Sequence, residues 1–195
     1  MPKIGMEPKR RLELVEATIH EIGERGTLDV TVSQIAKRAG ISSALAHHYF
    51  GSKDHLFAAS MRHILSLYGA EVRGALAMAT TPRARIEAIV RASFTATQFR
   101  PDMVSAWMNF YVQAQKSPEA RRLLTIYQRR LRANLLHGLR LVGARDPETL
   151  THGLAAMIDG MYIRQALRDD PLDGDHALGI LLNYIDTALA EGGKT

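Results

Sequence analysis

The sequence predicts an all-α protein. Apolar residues recur at three- and four-residue intervals along most of the 195 residues, as they do on the buried face of a helix, and no segment shows the two-residue alternation of a half-buried strand. Ser, Thr and Asp residues, several of them followed by Pro, stand where these segments begin, and such residues cap and open helices. About nine helices are expected.

The first two helices are expected at residues 8–25 and just after Thr31. Thr31 and Gln34 have the spacing of a capping box, in which each side chain accepts a hydrogen bond from the backbone N–H of the other residue. Gly40 ends the second helix, because the position after a helix often needs a left-handed backbone that glycine adopts at little cost.

The third helix is expected to begin after Ser42, another capping residue. At about 100° per residue, its larger side chains gather on one side, which is expected to pack. These are Leu45, Ala46, Tyr49 and Phe50.

Six longer helices follow. Ser52 begins a helix that reaches Met78, and Thr81 with Pro82 begins the next, which runs to a break at 100–102. A further helix runs from Pro101 onward, and another ends near Val142. The remaining expected starts are Ser117, Asp146 and Asp173.

Composition limits the cellular context. The chain has no cysteine, its first residues lack the apolar stretch of a signal peptide, and no run reaches the roughly 18 apolar residues of a membrane span. A soluble, cytoplasmic protein is expected. The net charge is +5, but residues 1–55 hold eight basic and seven acidic residues, a sum of +1. An affinity for DNA therefore depends on where the charges stand and not on their total.

The stretch from Thr31 to Leu56 has the pattern of a helix-turn-helix. Two short helices joined by a turn that contains glycine place the second helix in the DNA major groove. No acidic residue stands between Gly40 and Lys53, which suits a polyanion. Lys53 at the start of the next helix can reach a phosphate. The outward face of the second helix carries Ser43, Ala44, His47 and His48.

This stretch resembles the DNA-binding domain of the TetR family of bacterial regulators, with its Tyr49-Phe50 pair followed by Ser52-Lys53-Asp54. Tyr49 stands where many members have histidine, and Ala46 where many have a larger aliphatic residue. The resemblance implies base contacts by Ser43, Ala44 and Leu45, and phosphate contacts by Thr31, His47, Tyr49 and Lys53. The complete candidate set for DNA contact is Thr31, Ser33, Ser42, Ser43, Ala44, Leu45, His47, His48, Tyr49 and Lys53.

The chain is expected to divide into a DNA-binding domain at 1–55 and a ligand-binding and dimerisation domain at 56–195. The last two helices carry wide apolar stripes that suit either a homodimer interface or the core of a single chain. A protein that reads two DNA half-sites needs two-fold symmetry, which favours the dimer. The stripes consist of Leu150, Leu154, Met157, Ile158 and Met161, and of Leu178, Leu181, Leu182, Ile185 and Leu189.

Aromatic residues and one acid suggest a ligand site in the larger domain. Asp159 is the only residue between Thr151 and Ile163 that is charged at pH 7 when histidine is neutral, and a buried carboxylate needs a partner. Aromatic faces beside a carboxylate can bind an organic cation, although aromatic stripes also form ordinary cores. The candidates are Phe94, Trp107, Phe110, Tyr111, Asp159 and Tyr162.

A narrower resemblance covers nearly the whole chain. The opening MPKIGM, the segment LAAMIDGMYIRQAL at 154–167 and the following Pro171-Leu172-Asp173 are similar to choline-responsive TetR regulators of glycine betaine synthesis genes. This resemblance implies a repressor that binds operator DNA, with choline as its effector.

Three alternatives stay open at this stage. The effector could be another cationic or hydrophobic compound, or the larger domain could serve dimerisation alone. An enzyme is disfavoured, because the chain lacks cysteine, a glycine-rich phosphate loop and the histidine spacing of common metal sites. No cofactor or metal is expected.

Overall fold

The computed structural model describes residues 6–167 and 170–192, which form nine α-helices and no strand. The all-α prediction is confirmed. None of the described helices has the length and apolarity needed to cross a membrane. Most of the MPKIGM segment lies outside the described residues. The helices are α1 Met6–Arg25, α2 Val32–Arg38, α3 Ser43–Phe50, α4 Lys53–Met78, α5 Pro82–Ser93, α6 Pro101–Lys116, α7 Pro118–Leu141, α8 Pro147–Ala166 and α9 Gly174–Gly192.

The capping box at Thr31 forms as expected. The Gln34 N–H donates to the Thr31 hydroxyl at 3.2 Å, and the Thr31 N–H donates to the Gln34 side-chain oxygen at 2.8 Å. Gly40 follows α2 with a φ of 64°, which is the left-handed conformation that glycine favours. Ser42 caps α3 by accepting a hydrogen bond of 3.2 Å from the Leu45 N–H. The local turn of the helix-turn-helix is therefore confirmed.

The later caps are also confirmed. The side chains of Ser52, Thr81, Asp146 and Asp173 each accept a hydrogen bond from the backbone N–H three residues later, at 2.8 to 3.2 Å. Between the caps at Ser52 and Thr81, α4 runs without a break from Lys53 to Met78.

The predicted length of α5 is wrong. The helix ends at Ser93, and the segment 94–100 is irregular. The Thr95 hydroxyl accepts a hydrogen bond from the Gln98 N–H at 3.3 Å and donates one to the Glu71 carboxylate at 2.8 Å. A Thr side chain that bonds nearby backbone competes with helix continuation. The turn brings Phe94, Gln98 and Phe99 onto one short segment.

The chain forms two compact units. The first unit comprises residues up to Ser66 together with Pro101–Leu123, and the second comprises Leu67–Arg100 and residues from Leu124 onward. The domain boundary at residue 55 stays a prediction. Large, fully buried side chains of the first unit are Leu14, Ile35, Leu56, Ile64, Met103 and Phe110, and those of the second are Ile86, Ile89, Leu135, Leu139, Leu154 and Ile158.

The apolar stripes of α8 and α9 divide into buried and half-buried residues. Leu154, Ile158, Leu181 and Ile185 are buried in the chain's own core. The other stripe residues are half-buried, and three further apolar side chains nearby are exposed. The half-buried residues are Leu150, Met157, Met161, Leu178, Leu182 and Leu189. The exposed ones are Ile163, Leu167 and Ile180. The dimer interface stays a prediction.

Candidate functional site

Helices α2 and α3, their capping residues and the start of α4 hold the candidate DNA-contacting residues in the first unit. Buried Ile35, Ala36, Ile41 and Ala46 fix the two helices, so the remaining side chains are directed away from the core. Six candidates are exposed: Thr31, Ser33, Ser42, Ala44, His47 and His48. Four are half-buried: Ser43, Leu45, Tyr49 and Lys53.

Hydroxyl groups line the junction between α2 and α3. The Ser43 hydroxyl contacts the Ser33 hydroxyl at 3.2 Å. The Thr31 hydroxyl uses its oxygen as the acceptor of the capping bond, so its proton stays available for a phosphate oxygen. On the following turn, His47 Nδ1 lies 3.4 Å from the carbonyl oxygen of Gly51. Small and polar groups therefore occupy this face.

Arg11 packs against the aromatic pair that ends the recognition helix α3. Its guanidinium carbon lies 5.5 Å from the ring centroid of Tyr49 and 5.2 Å from that of Phe50, and its Nε donates to Glu7 at 2.8 Å. In the sequence Arg11 belongs to the basic segment Lys9-Arg10-Arg11. Its contact with α3 depends on folding of distant segments, and no local pattern indicated it.

The basic residues near the turn divide into two groups. Arg38 pairs with Glu21 at 2.7 Å and also with Glu24, so it braces α2 against α1. Lys37 and Lys53 form no ion pair with any residue that the structure describes. The Lys53 ammonium lies 5.3 Å from the Phe57 ring centroid at the start of α4. Lys53 can therefore give its charge to a DNA phosphate without breaking an ion pair.

Three of the ligand candidates cluster in the first unit. The ring centroid of Trp107 lies 5.7 Å from that of Phe110 and 6.0 Å from that of Tyr111. Phe110 also borders a cavity of about 20 Å³ with Ile19 and Phe57. That volume holds about one water molecule, so the cavity is too small for an organic cation.

Two of the other ligand candidates cluster in the second unit, together with Phe99. The rings of Phe94 and Phe99 lie 5.1 Å apart, and both contact Tyr162, at 5.9 and 5.1 Å. All three side chains are buried. The Tyr162 hydroxyl donates to the backbone oxygen of Ser93. Because the Trp107 and Tyr162 clusters belong to different units, the prediction that they share one site stays a prediction.

Two carboxylates lie near the buried tyrosines of the second unit. Burial, with smaller contributions from the charges of Asp159 and Glu71, raises the pKa of Tyr68 to about 12. Burial likewise raises the pKa of Tyr162, with Tyr68, Glu71 and Asp159 adding to the shift. Asp159 is half-buried, whereas the sequence suggested a buried carboxylate, because its position on α8 leaves part of the side chain exposed. Sequence reasoning missed Glu71.

Glu71 is held by two residues of the irregular turn. Its carboxylate accepts hydrogen bonds from the Thr95 hydroxyl at 2.8 Å and from Gln98 Nε2 at 3.2 Å. Glu71 and Thr95 also border an open cleft of about 650 Å³ that alanines dominate. In the sequence Glu71 resembles any solvated helix residue, since its partners are more than twenty positions away.

Comparisons with known proteins match the N-terminal and the C-terminal parts of the chain to two family descriptions. Residues 14–60 match the family described as bacterial regulatory proteins, tetR family. Residues 82–190 match the description "BetI-type transcriptional repressor, C-terminal". The HTH-type transcriptional regulator BetI of Rhizobium meliloti (strain 1021) is 50% identical over 194 residues, which cover 99% of this chain and 96% of that protein.

Solved structures share the fold. A transcriptional regulator from Pseudomonas aeruginosa PAO1 has a TM-score of 0.80 at 25% identity, covering 94% of this chain and 91% of that one. A transcriptional regulator from Saccharomonospora viridis in complex with choline has a TM-score of 0.82 at 22% identity, covering 92% of this chain and 96% of that one. These relatives are regulators and not enzymes. The chain belongs to the TetR family of bacterial transcriptional regulators, with a C-terminal domain of the BetI type.

Proposed function

We propose that this DNA-binding repressor senses choline and controls genes that convert choline to glycine betaine. The observation that carries the proposal is the second-unit cluster of Phe94, Phe99 and Tyr162 beside two carboxylates. Aromatic faces attract a quaternary ammonium group, by about 0.5 to 2 kcal/mol per contact. The carboxylates of Glu71 and Asp159 would balance its charge in a partly desolvated site.

The remaining ligand candidates are kept in the proposal. Trp107 and Tyr111 stay candidate ligand contacts within the first unit, whereas the position of Phe110 beside Ile19 and Phe57 favours a core role for that ring. The BetI-type match of the C-terminal residues supports choline as the effector.

The DNA side of the proposal assigns tasks to the candidates on α2, α3 and α4. Ser43, Ala44 and Leu45 would face base edges, because small and short side chains let the helix approach the major groove. Thr31, His47, Tyr49 and Lys53 would contact phosphates. Exposed Ser33, Ser42 and His48 would complete the contact surface. We retain 1–55 as the DNA-binding domain and 56–195 as the ligand-binding and dimerisation domain.

Helix α4 offers a direct route from ligand to DNA. It carries Lys53 in its first turn and Glu71 near its C-terminal end, so a ligand held by Glu71 acts on the helix that follows α3. A ligand changes DNA affinity only if it binds the DNA-competent and incompetent states unequally. We propose that choline favours a state in which the two recognition helices of a cytoplasmic homodimer no longer match successive major grooves.

The test combines effector binding with DNA release. Choline is titrated into the purified protein by calorimetry and by fluorescence of Trp107, the single tryptophan of the chain. Binding to the DNA upstream of the protein's own coding sequence is followed by anisotropy. We expect saturable choline binding and weaker DNA binding, with glycine betaine and a sugar inactive.

The variant Asp159→Asn should weaken choline binding and leave DNA binding without effector intact. A folded, DNA-binding protein that shows no heat and no fluorescence change with choline would contradict the proposal. Equal losses of stability and DNA binding in Asp159→Asn would assign Asp159 a structural role.

A second candidate effector is favoured by the open cleft beside Glu71. Its walls carry Ala75, Ala79, Ala84, Ala88 and Ala92, which suit a larger amphipathic cation. Ala88→Leu would fill part of this cleft and should weaken binding of such a compound, whereas binding of choline at the aromatic cluster should not change.

A further inference from the structure

Gln98 has a buried side-chain oxygen that no described residue satisfies. The residue is 0% exposed, and its Nε2 donates to the Glu71 carboxylate at 3.2 Å. Its Oε1 accepts no hydrogen bond from the part of the chain that the structure describes. Buried amide oxygens normally have a donor, so an acceptor left open beside a charged group indicates a role.

The orientation of this amide is fixed by Glu71. Reversing the Gln98 amide would place its oxygen against a carboxylate oxygen of Glu71, and the two oxygens would repel each other. It would also remove the hydrogen bond that Glu71 now accepts from Nε2. Glu71 is itself held on the other side by the Thr95 hydroxyl at 2.8 Å. The Gln98 backbone N–H in turn donates to that hydroxyl oxygen at 3.3 Å. The three residues form a closed set of hydrogen bonds that presents one free acceptor.

This acceptor lies on the same turn as two rings of the proposed cation site. Gln98 lies in the turn between Phe94 and Phe99, whose rings both contact Tyr162. Glu71 is near enough to Tyr162 to contribute to the raised pKa of that hydroxyl. Aromatic faces, a carboxylate and an open acceptor therefore lie within one unit of the molecule.

Aromatic rings alone cannot separate choline from glycine betaine, because both molecules carry the same trimethylammonium group. They differ at the other end. Choline ends in an alcohol, which donates a hydrogen bond, whereas glycine betaine ends in a carboxylate, which only accepts and carries a negative charge. A sensor that responds to the alcohol and not to its oxidised product must read this difference.

We propose that Glu71 and Gln98 form the specificity-determining pair of the effector site: Gln98 Oε1 accepts the hydroxyl hydrogen bond of a cationic alcohol, and Glu71 repels a carboxylate at the same position. This assignment rests on the proposed choline-sensing function. An effector site with this acceptor is suited to ligands that donate a hydrogen bond, and it discriminates against analogues that have no donor.

The first test uses the unaltered protein and four ligands in calorimetry. Choline is compared with propyltrimethylammonium, in which a methyl group replaces the hydroxyl, with glycine betaine, and with the uncharged 3,3-dimethyl-1-butanol. We expect choline to bind about tenfold more tightly than propyltrimethylammonium, as one hydrogen bond allows. Glycine betaine and the neutral alcohol should bind more weakly than either cation.

The second test removes each half of the pair. Gln98→Met keeps the volume but lacks the acceptor, so choline and propyltrimethylammonium should bind equally well. Glu71→Gln should weaken choline binding and narrow the gap between choline and glycine betaine. Gln165→Met is the matched control, because Gln165 is also buried in the second unit but its Oε1 accepts from the Asp173 N–H at 3.3 Å. The control should keep the tenfold preference.

The outcomes separate this inference from the proposed function. Choline binding with no preference over propyltrimethylammonium in the unaltered protein would overturn the role of Gln98 and leave choline sensing intact. A preference that survives in folded Gln98→Met would do the same. Absence of choline binding in the unaltered protein would overturn both proposals. If Gln98→Met does not fold, the ligand series on the unaltered protein decides.

Discussion

Glu21 joins two helices of the first unit through its two carboxylate oxygens. One oxygen accepts from Arg38 of α2 at 2.7 Å and the other from Arg25 of α1 at 3.0 Å. The hydrogen bonds from Arg38 and then Arg25 hold the pKa of this carboxyl below its ordinary value of 4.5. The ionised form therefore stabilises the fold above pH 4.5, and that contribution is lost as the pH falls through the lowered folded-state pKa.

We predict that Glu21→Gln lowers the free energy of unfolding at pH 7 by about 1.5 to 3 kcal/mol, the range for hydrogen bonds to charged groups. The difference from the unaltered protein should shrink on acidification below pH 4.5. Urea unfolding at several pH values measures both effects. Glu16→Gln is the control, because Glu16 is an exposed residue of α1 that forms no ion pair with a described residue. Equal stability of the two variants at pH 7 would refute the bracing role of Glu21.

Lys53 gives a second prediction at this scale. Its charge is not engaged by a described acid, and it stands at the start of α4, where backbone N–H groups also favour a phosphate. Lys53→Ala should weaken binding to all DNA sequences alike and reduce the slope of log affinity against log salt by about 0.9. Salt titrations of anisotropy on specific and random duplexes measure this.

Two further variants test whether Lys53 contacts DNA phosphates and not base edges. Ser43→Ala should change which sequence is preferred and leave the salt slope unchanged. Lys116→Ala, an exposed lysine at the end of α6, should change the slope less. A changed sequence preference in Lys53→Ala would show that the phosphate assignment is wrong.

Residues that act locally could be predicted from the sequence, and those that act at a distance could not. The caps at Thr31, Ser42 and Asp146 depend on groups three residues away, so spacing alone identified them. Arg11 and Glu71 gain their roles from partners that the fold brings near, and nothing beside them in the chain marks those partners. The open acceptor of Gln98 likewise exists only because the turn after Ser93 directs its amide onto Glu71.

At the scale of elements, α1 and α6 pack closely within the first unit. A Cβ atom added to Gly23 would lie 2.4 Å from the Cβ of Asp102, far inside van der Waals contact. The Asp102 carboxylate also lies 3.1 Å from His20 Nδ1 and accepts a hydrogen bond from the Met103 N–H at 2.9 Å. Glycine at position 23 is therefore what allows the two helix backbones to approach.

We predict that Gly23→Ala destabilises the protein by about 1 to 3 kcal/mol, because overpacking exceeds the gain of up to 1 kcal/mol in helix propensity. Gly74→Ala in α4 is the matched control, since nothing lies within 4 Å of its added Cβ. The control should raise stability by about 0.5 to 1 kcal/mol. Thermal and urea unfolding show whether each substitution raises or lowers the free energy of unfolding. Stabilisation by both substitutions would refute the close packing of α1 on α6.

The helices show where periodicity succeeds and where it fails. Apolar spacing together with capping residues located the nine described helices, because a buried face and a capped start both leave local patterns. It extended α5 too far, since Phe94 fits the inward stripe of that helix. The end at Ser93 follows from Thr95, whose hydroxyl bonds the Gln98 N–H and Glu71 in place of continuing the helix. The spacing of apolar residues gives no sign of this competition between side-chain and backbone hydrogen bonds.

At the scale of the whole molecule, the proposed homodimer depends on apolar surface that one chain leaves uncovered. Leu181 and Ile185 of α9 are buried within the chain, whereas Ile180 on the same helix is 37% exposed. Ile163 of α8 is also exposed. The sequence could not separate these roles, because residues that face the chain's own core and residues that face a partner have the same apolar character.

We predict that Ile180→Glu raises the dimer dissociation constant at least tenfold, because a charge would be buried without a partner in the proposed interface. Ile126→Glu is a close control: Ile126 on α7 has the same 37% exposure but lies outside the two stripes. Sedimentation velocity should give twice the chain mass of 21.6 kDa for the unaltered protein and the control, and a single chain mass for Ile180→Glu at low micromolar concentration.

DNA affinity should fall with the loss of the dimer, because two half-sites are then bound independently. A dimer that survives Ile180→Glu but not Ile126→Glu would move the two-fold interface to α7.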